Sequence, residues 1–237
     1  TNGFELWKYD GTNAPSMVAN INPGSGSSHV SELTVFNNEL YFRAIDGTNG
    51  QELWKYDGTN APSMVANINP GSGSSSLRYL TVFNNELYFR ANDGTNGEEL
   101  WKYDGTNVPT LVANINPGSG SSSPGDLAVF NNELYFRAND GTNGNELWKY
   151  DGTNAPSMVA NINPGSGDSY PAYLTLFNNE LYFRAYDGTN GFELWKYDGT
   201  NAPSMVTNIN PGTSSSSPSY LTVFNNELYF RADDGTN

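Results

Sequence analysis

The sequence predicts an all-β chain, a five-bladed β-propeller with four antiparallel strands in each blade. Three observations predict it. The string ELWKYDG begins at Glu5, Glu52, Glu99, Glu146 and Glu193, always 47 residues apart. The string FNNELYFRA begins at Phe36, Phe83, Phe130, Phe177 and Phe224 with the same spacing. Each period holds four short apolar runs separated by turn residues, and a repeat of about 40 to 50 residues with four strands is the sequence signature of a blade.

The elements follow in order from the unit that begins at Leu33. The first strand is read as Leu33 to Phe36. Asn37-Asn38 comes next, and two asparagines accept the positive φ of a tight hairpin. The second strand is Glu39 to Ala44, followed by a turn over Asp46 to Gly50. The third is Glu52 to Tyr56. Asp57-Gly58 turns the chain again, and Pro62 blocks a helix. The fourth is Ser63 to Ile68, and Asn69 to Gly73 leads to the next unit. Leu40 and Phe42 alternate with Tyr41, and Leu53 with Trp54, so both faces of the sheet are apolar. Such a sheet needs a neighbour on each side, which a ring of blades supplies. A β-solenoid is the competitor, but its ends need distinct caps, and here both ends are ordinary repeat.

The chain reads as one domain, residues 1–237. Five periods account for 235 residues, and Thr1-Asn2 is repeated by Thr236-Asn237. Whole blades are expected at 29–75, 76–122, 123–169 and 170–216. Residues 3–28 supply the third and fourth strands of a closing blade, and residues 217–237 its first and second. This split blade is expected to close the ring and leave no long free edge.

Composition excludes several classes. Charged residues are 15% and aromatics 14%, which is not the balance of a disordered chain. A net charge of −14 repels phosphates, so nucleic acid and anionic membranes are poor partners. No apolar run is long enough to span a bilayer. Cysteine is absent, which removes disulfides, thiolate zinc sites and cysteine nucleophiles, and sets no compartment. No signal peptide is visible, and the mid-motif start reads as a processed or recloned segment.

No catalytic residues are assigned. The one histidine, His29, falls in a single unit and reads as a solvated loop residue. No Ser-His-Asp, HExxH or GxSxG arrangement appears, and the Gly-Ser stretches open no helix that could cradle phosphate. Each unit carries two Asp-Gly-Thr-Asn turns, such as Asp46 to Asn49 and Asp57 to Asn60. They lack calcium-loop spacing and read as self-bonded turns, so no metal and no cofactor is expected. Arg43, Arg90, Arg137, Arg184 and Arg231 recur in the second strand, and an ion pair with the glutamate that opens the third strand is expected in each blade. The five tryptophans are expected in the core between blades.

The octet ELWKYDGT at Glu5 to Thr12, with its four copies, resembles the motif that names the bacterial ELWxxDGT-repeat proteins. The likeness spans essentially the whole chain. It implies a secreted or surface-attached bacterial repeat protein and implies no activity. In blade number and length the chain is also similar to the tachylectin-type five-bladed lectins. The near-identity of the copies reads as recent amplification of one blade, and laboratory repetition of a blade is the alternative.

The copies differ in three places. Before the first strand they read His29 to Glu32, Ser76 to Tyr79, Ser123 to Asp126, Tyr170 to Tyr173 and Ser217 to Tyr220. Before the DGTNG turn stand Ile45, Asn92, Asn139, Tyr186 and Asp233, and after it Phe4, Gln51, Glu98, Asn145 and Phe192. Strand alternation puts all three on one end of the blades and the constant FNNE and YDGTN turns on the other. A constant scaffold with one varied loop face is how binding surfaces are made, although drift in tolerant loops would vary the same positions. The candidate ligand-binding residues are Tyr79, Tyr173, Tyr220, Tyr186 and Phe192, with Glu32, Asp126 and Asp233 as polar partners. The expected function is non-catalytic extracellular or cell-surface binding by a monomer, with a glycan or peptide ligand. The alternatives are a purely structural module of a large surface protein, a symmetric propeller without a ligand, and a calcium-stabilised adhesin.

Overall fold

The computed structural model describes residues 2–236, so Thr1 and Asn237 of the repeated Thr-Asn pair lie outside the described residues. It contains twenty strands and no helix among them. The chain divides into two compact units, Thr1–Asn114 and Ile115–Asn237.

The first unit opens with a hairpin of β1 (Leu6–Lys8) and β2 (Ser16–Ala19). Two four-stranded antiparallel sheets follow, β3 (Ser31–Phe36), β4 (Glu39–Ile45), β5 (Gln51–Tyr56), β6 (Ser63–Ala66), and β7 (Arg78–Phe83), β8 (Glu86–Asn92), β9 (Glu98–Tyr103), β10 (Thr110–Ala113). The second unit repeats the pattern in reverse. Its sheets are β11 (Gly125–Phe130), β12 (Glu133–Asn139), β13 (Asn145–Tyr150), β14 (Ser157–Ala160), and β15 (Ala172–Phe177), β16 (Glu180–Tyr186), β17 (Phe192–Tyr197), β18 (Ser204–Thr207). A hairpin of β19 (Ser219–Phe224) and β20 (Glu227–Arg231) ends it.

Asn37 and Asn38 turn the β3–β4 hairpin at φ 47° and 62°, as the asparagine pair predicts. Strands differ from the sequence reading at four ends, the second and third each gaining one residue, Ile45 and Gln51. The first strand begins two residues early, at Ser31, because a bulge lies between the Ser31–Arg43 and Thr34–Tyr41 pairs. The fourth stops at Ala66, because the Ile68 N–H leaves the ladder and donates to Glu52 Oε2 at 2.9 Å.

Both faces of each full sheet are buried. In the first unit Tyr41 and Leu53 pack with Leu87, Phe89, Trp101 and Tyr103 of the next sheet. Phe42 and Trp54, on the opposite face, pack with Leu6 and Ile21 of the hairpin. The second unit repeats this with Tyr135 and Leu147 against Phe183, Trp195 and Tyr197. The first strands of successive sheets lie beside each other, β3 against β7, and β11 against β15 against β19. This is blade-on-blade stacking, with apolar burial on both sides of each sheet as its main stabilisation.

The described sheets show no closed ring, and the split blade stands as two hairpins, one in each unit. The two terminal hairpins form separate two-stranded sheets, and no β20–β1 ladder exists among the described residues. Their core positions are therefore uncovered. Trp7 is 57% exposed where its four counterparts are 8–9% exposed, and Phe224 is 61% exposed where Phe36, Phe83 and Phe130 are 2–3% exposed. No helix is long and apolar enough to cross a membrane.

Candidate functional site

The three varied patches meet at the seams between blades, and a constant serine pins them. Ser75 N–H and Oγ both donate to the Gln51 carbonyl, at 2.9 and 2.8 Å, while the Ser75 carbonyl accepts from Asn92 N–H at 2.8 Å. One serine thus ties the residue after one blade's turn to the residue before the next blade's turn. Ser28 does the same for Phe4 and Ile45, and Ser169 for Asn145 and Tyr186. At the last seam the Phe192 carbonyl accepts from Ser216 Oγ and Ser217 N–H, and the Ser216 carbonyl accepts from Asp233 N–H. These serines are buried. Gly50 lets the loop come close, because a Cβ there would run into the Gly73 carbonyl.

Beneath each seam sits a buried glutamate. Glu146 accepts Ile162 N–H at 2.8 Å, Ser169 N–H at 3.1 Å and Ser169 Oγ–H at 2.6 Å. Glu52 and Glu193 make matching bonds. Burial pushes the carboxyl groups of Glu52 and Glu146 up to about 7, against the pull of those donors. The expected ion pair between this glutamate and the strand arginine is not made. Arg43 pairs across the ladder with Leu53, and Glu52 with Ala44, so the two charged side chains point to opposite faces of the sheet.

The arginines instead meet the varied residues. Arg90 lies 3.4 Å from Glu98 and stacks on Tyr79 at 5.5 Å. Arg137 pairs with Asp126 at 3.2 Å. Arg43 Nη1 donates to the Leu77 carbonyl at 3.3 Å. Arg184 stacks on Tyr173 and Phe192, at 5.2 and 5.0 Å.

The candidate residues are distributed as follows. Glu32 and Tyr79 meet in the first unit, where Glu32 Oε2 accepts Tyr79 N–H at 2.7 Å. In the second unit Asp126 accepts Tyr173 N–H at 2.9 Å, and the rings of Tyr173 and Tyr220 lie 6.0 Å apart. Tyr186 and Phe192 form another ring pair at 5.5 Å. Asp233 is exposed and accepts Gly235 N–H at 2.8 Å. Glu32, Tyr79, Asp126, Tyr173 and Tyr220 all sit in the bulge of the first strand, at φ 54–62°. Left-handed backbone is costly for residues of this size, and bulges re-aim side chains next to binding sites. Sequence reasoning missed the bulge, the pinning serines and the role of the arginines. The serines were signalled by their constancy inside a loop that otherwise varies.

The Asp-Gly-Thr-Asn turns are self-bonded. Asp57 Oδ1 accepts Thr59 and Asn60 N–H at 2.8 and 2.7 Å, and Oδ2 accepts the Asn60 side chain at 2.6 Å. The Asn60 side chain and these backbone donors hold the Asp57 carboxyl down at about 2. Among the described residues no three His, Cys, Asp or Glu side chains cluster as metal ligands would. His29 is exposed in a loop.

No protein-family model matches the chain, and no curated protein matches it in sequence. Solved structures match by shape. A puromycin hydrolase aligns with 92% of this chain and 34% of its own at a TM-score of 0.56 and 12% identity. Oligopeptidase B from Trypanosoma brucei aligns with 87% of this chain and 31% of its own, at 0.54 and 12%. The β-propeller domain of the Trilobed protease from Pyrococcus furiosus aligns with 77% and 55%, at 0.50 and 10%. The chain spans between about a third and just over half the length of these proteins. At such identity the likeness concerns fold alone: the chain is an all-β array of repeated four-stranded antiparallel blades, like the blades of propeller domains.

Proposed function

We propose that this chain is a non-catalytic binding module of an extracellular or cell-surface bacterial protein, and that its varied loop face takes a glycan. The observation that carries the reading is the convergence at each seam. Three sequence-varied positions are pinned together by a buried serine over a buried glutamate, and one of them is held in left-handed backbone. The framework is constant and the exposed side chains are not. Aromatic faces beside amides and carboxylates suit a sugar, which stacks its C–H face and bonds its hydroxyls.

A glycan array followed by titration tests this. Alanine at Tyr79, Tyr173, Tyr220, Tyr186 and Phe192 should remove binding while leaving the fold. A ligand that binds only at the constant Asn-Asn turns would overturn the proposal.

The twenty strands are five blades' worth, and the closed five-bladed ring is the complete form we propose for them. In it β20 lies on β1 in the register of β4 on β5, Tyr229 opposite Lys8 as Tyr41 is opposite Lys55. Closure would cover Trp7 and Phe224 and remove two free edges.

A further inference from the structure

We infer that the seam built by Arg184, Tyr173 and Tyr220 selects a sugar that carries a carboxylate. This rests on the glycan reading above and adds the chemical class of the ligand. Arg90 has Glu98 and Arg137 has Asp126 as ion-pair partners, and Arg43 donates to a carbonyl. Arg184 has none of these among the described residues. Its guanidinium lies 5.2 and 5.0 Å from the ring centres of Tyr173 and Phe192, and its Nε, like those of Arg43 and Arg90, is buried without a hydrogen-bond partner. In this blade the two varied positions that supply acids elsewhere, Asp126 and Glu98, are Tyr173 and Phe192. The cation is retained and its neutralising acid is replaced by aromatics.

A partly buried guanidinium without an acceptor is unfavourable, and two ring faces offset only part of that cost. Its planar fork of N–H donors matches a carboxylate in two-point contact. Arg184 lines a cavity of about 810 Å³, together with Tyr173, Tyr220, Ser217 and Ser219. The Tyr173 and Tyr220 rings, 6.0 Å apart, give stacking surface, and the Ser217 and Ser219 hydroxyls line the same cavity. Hydroxyls and rings around Arg184, with Arg231 also on the rim, describe a pocket for an acidic sugar.

Charge narrows the class further. Asp233 and Asp234 stand on the cavity rim with Arg184 and Arg231, so the local balance is neutral, and the chain carries −14 overall. A polyanion is repelled by that field, whereas a single carboxylate seated on Arg184 is not.

The test is calorimetric titration of the full chain with methyl glucuronoside and with methyl glucoside, which differ in the carboxylate. The glucuronoside is expected to bind about tenfold or more tightly, the worth of one charge-assisted contact. Arg184→Gln should bring it down to the glucoside level and leave the melting temperature unchanged or raised, because no ion pair is lost. Arg137→Gln, whose arginine already has Asp126, should leave the preference intact. Equal binding of both sugars, with loss on Tyr173→Ala, would overturn the acidic class and leave the glycan reading standing. Binding of neither sugar, or a preference that survives Arg184→Gln, overturns the inference. Sugar binding that also survives alanine at both tyrosines overturns the glycan reading with it.

Discussion

Glu146→Ala is expected to destabilise the chain far more at pH 5 than at pH 8. The Glu146 carboxyl group is fully buried beneath a seam and accepts Ile162 N–H, Ser169 N–H and the Ser169 hydroxyl. Alanine leaves the Ile162 N–H without an acceptor, at about 1 kcal/mol, leaves the two Ser169 donors with the Asn145 carbonyl alone, at about 0.5 kcal/mol each, and opens a small cavity for about 1 more. The cost near pH 5, where the group is protonated and no charge is buried, is about 3 kcal/mol. At pH 8 the native protein carries a buried carboxylate. Its pKa is raised from 4.5 to about 7, so the native state binds more protons than the unfolded chain between those values. Stability from this group is complete below pH 4.5 and is lost as pH rises through 7. The shift is worth about 3 kcal/mol, which the alanine variant never loses. The cost of the substitution therefore shrinks to about 0.5 kcal/mol or less at pH 8. In a chain this size that means a fall of roughly 6–12 °C in melting temperature at pH 5 and of about a degree or two at pH 8. Glu5 is the internal control: its Oε1 has no partner and Oε2 accepts only Ile21 N–H, so Glu5→Ala should cost about 1 kcal/mol at pH 5. Thermal melts of the three proteins at both pH values decide it. Equal losses at the two pH values would refute the raised carboxyl, and a loss under 1 kcal/mol at pH 5 would refute the anchoring role.

Ser76→Gly should raise stability by about 0.5–1 kcal/mol, read as a melting shift of a few degrees, because Ser76 holds φ 53° and glycine takes that conformation freely. Chelator should move the melting temperature by no more than about a degree or two, since both Asp57 oxygens are used inside their own turn; a fall of tens of degrees would make the aspartates calcium ligands. If β20 closes on β1, Trp7 should be as protected from acrylamide quenching as the other four tryptophans, and a quenchable fraction that disappears in Trp7→Phe would show that the split blade stays open.

Much of the blade was legible because its information is local. Asn37-Asn38 and Asp57-Gly58 demand positive φ or self-bonded turns, and Phe42, Trp54, Tyr41 and Leu53 alternate in a way only a two-sided sheet satisfies. The 47-residue period then carries one blade's reading to all the others. Closure was not legible in that way. A repeat specifies how a blade meets its neighbour, and the angle between blades, summed around the array, decides whether the ends meet. That angle comes from side-chain packing such as Tyr41 against Tyr103, which no periodicity encodes.

The site divides along the same line. Its location could be read from where the copies differ, because strand alternation assigns each loop to one end of the blade. Its chemistry could not. Pairing Arg43 with Glu52 seemed natural by distance along the chain, yet Arg43 and Glu52 fall on opposite faces by the two-residue period of the strand itself. Once that alternation is applied, the glutamate has only backbone donors to meet and becomes the anchor of the loop. The arginine is left facing the varied residues. Two copies neutralise their arginine with an acid, Arg137 with Asp126 and Arg90 with Glu98, whereas at Arg184 Tyr173 and Phe192 take both places. Variation that looks like drift in a single loop becomes, read against the constant cation it faces, a change from a closed ion pair to an open one.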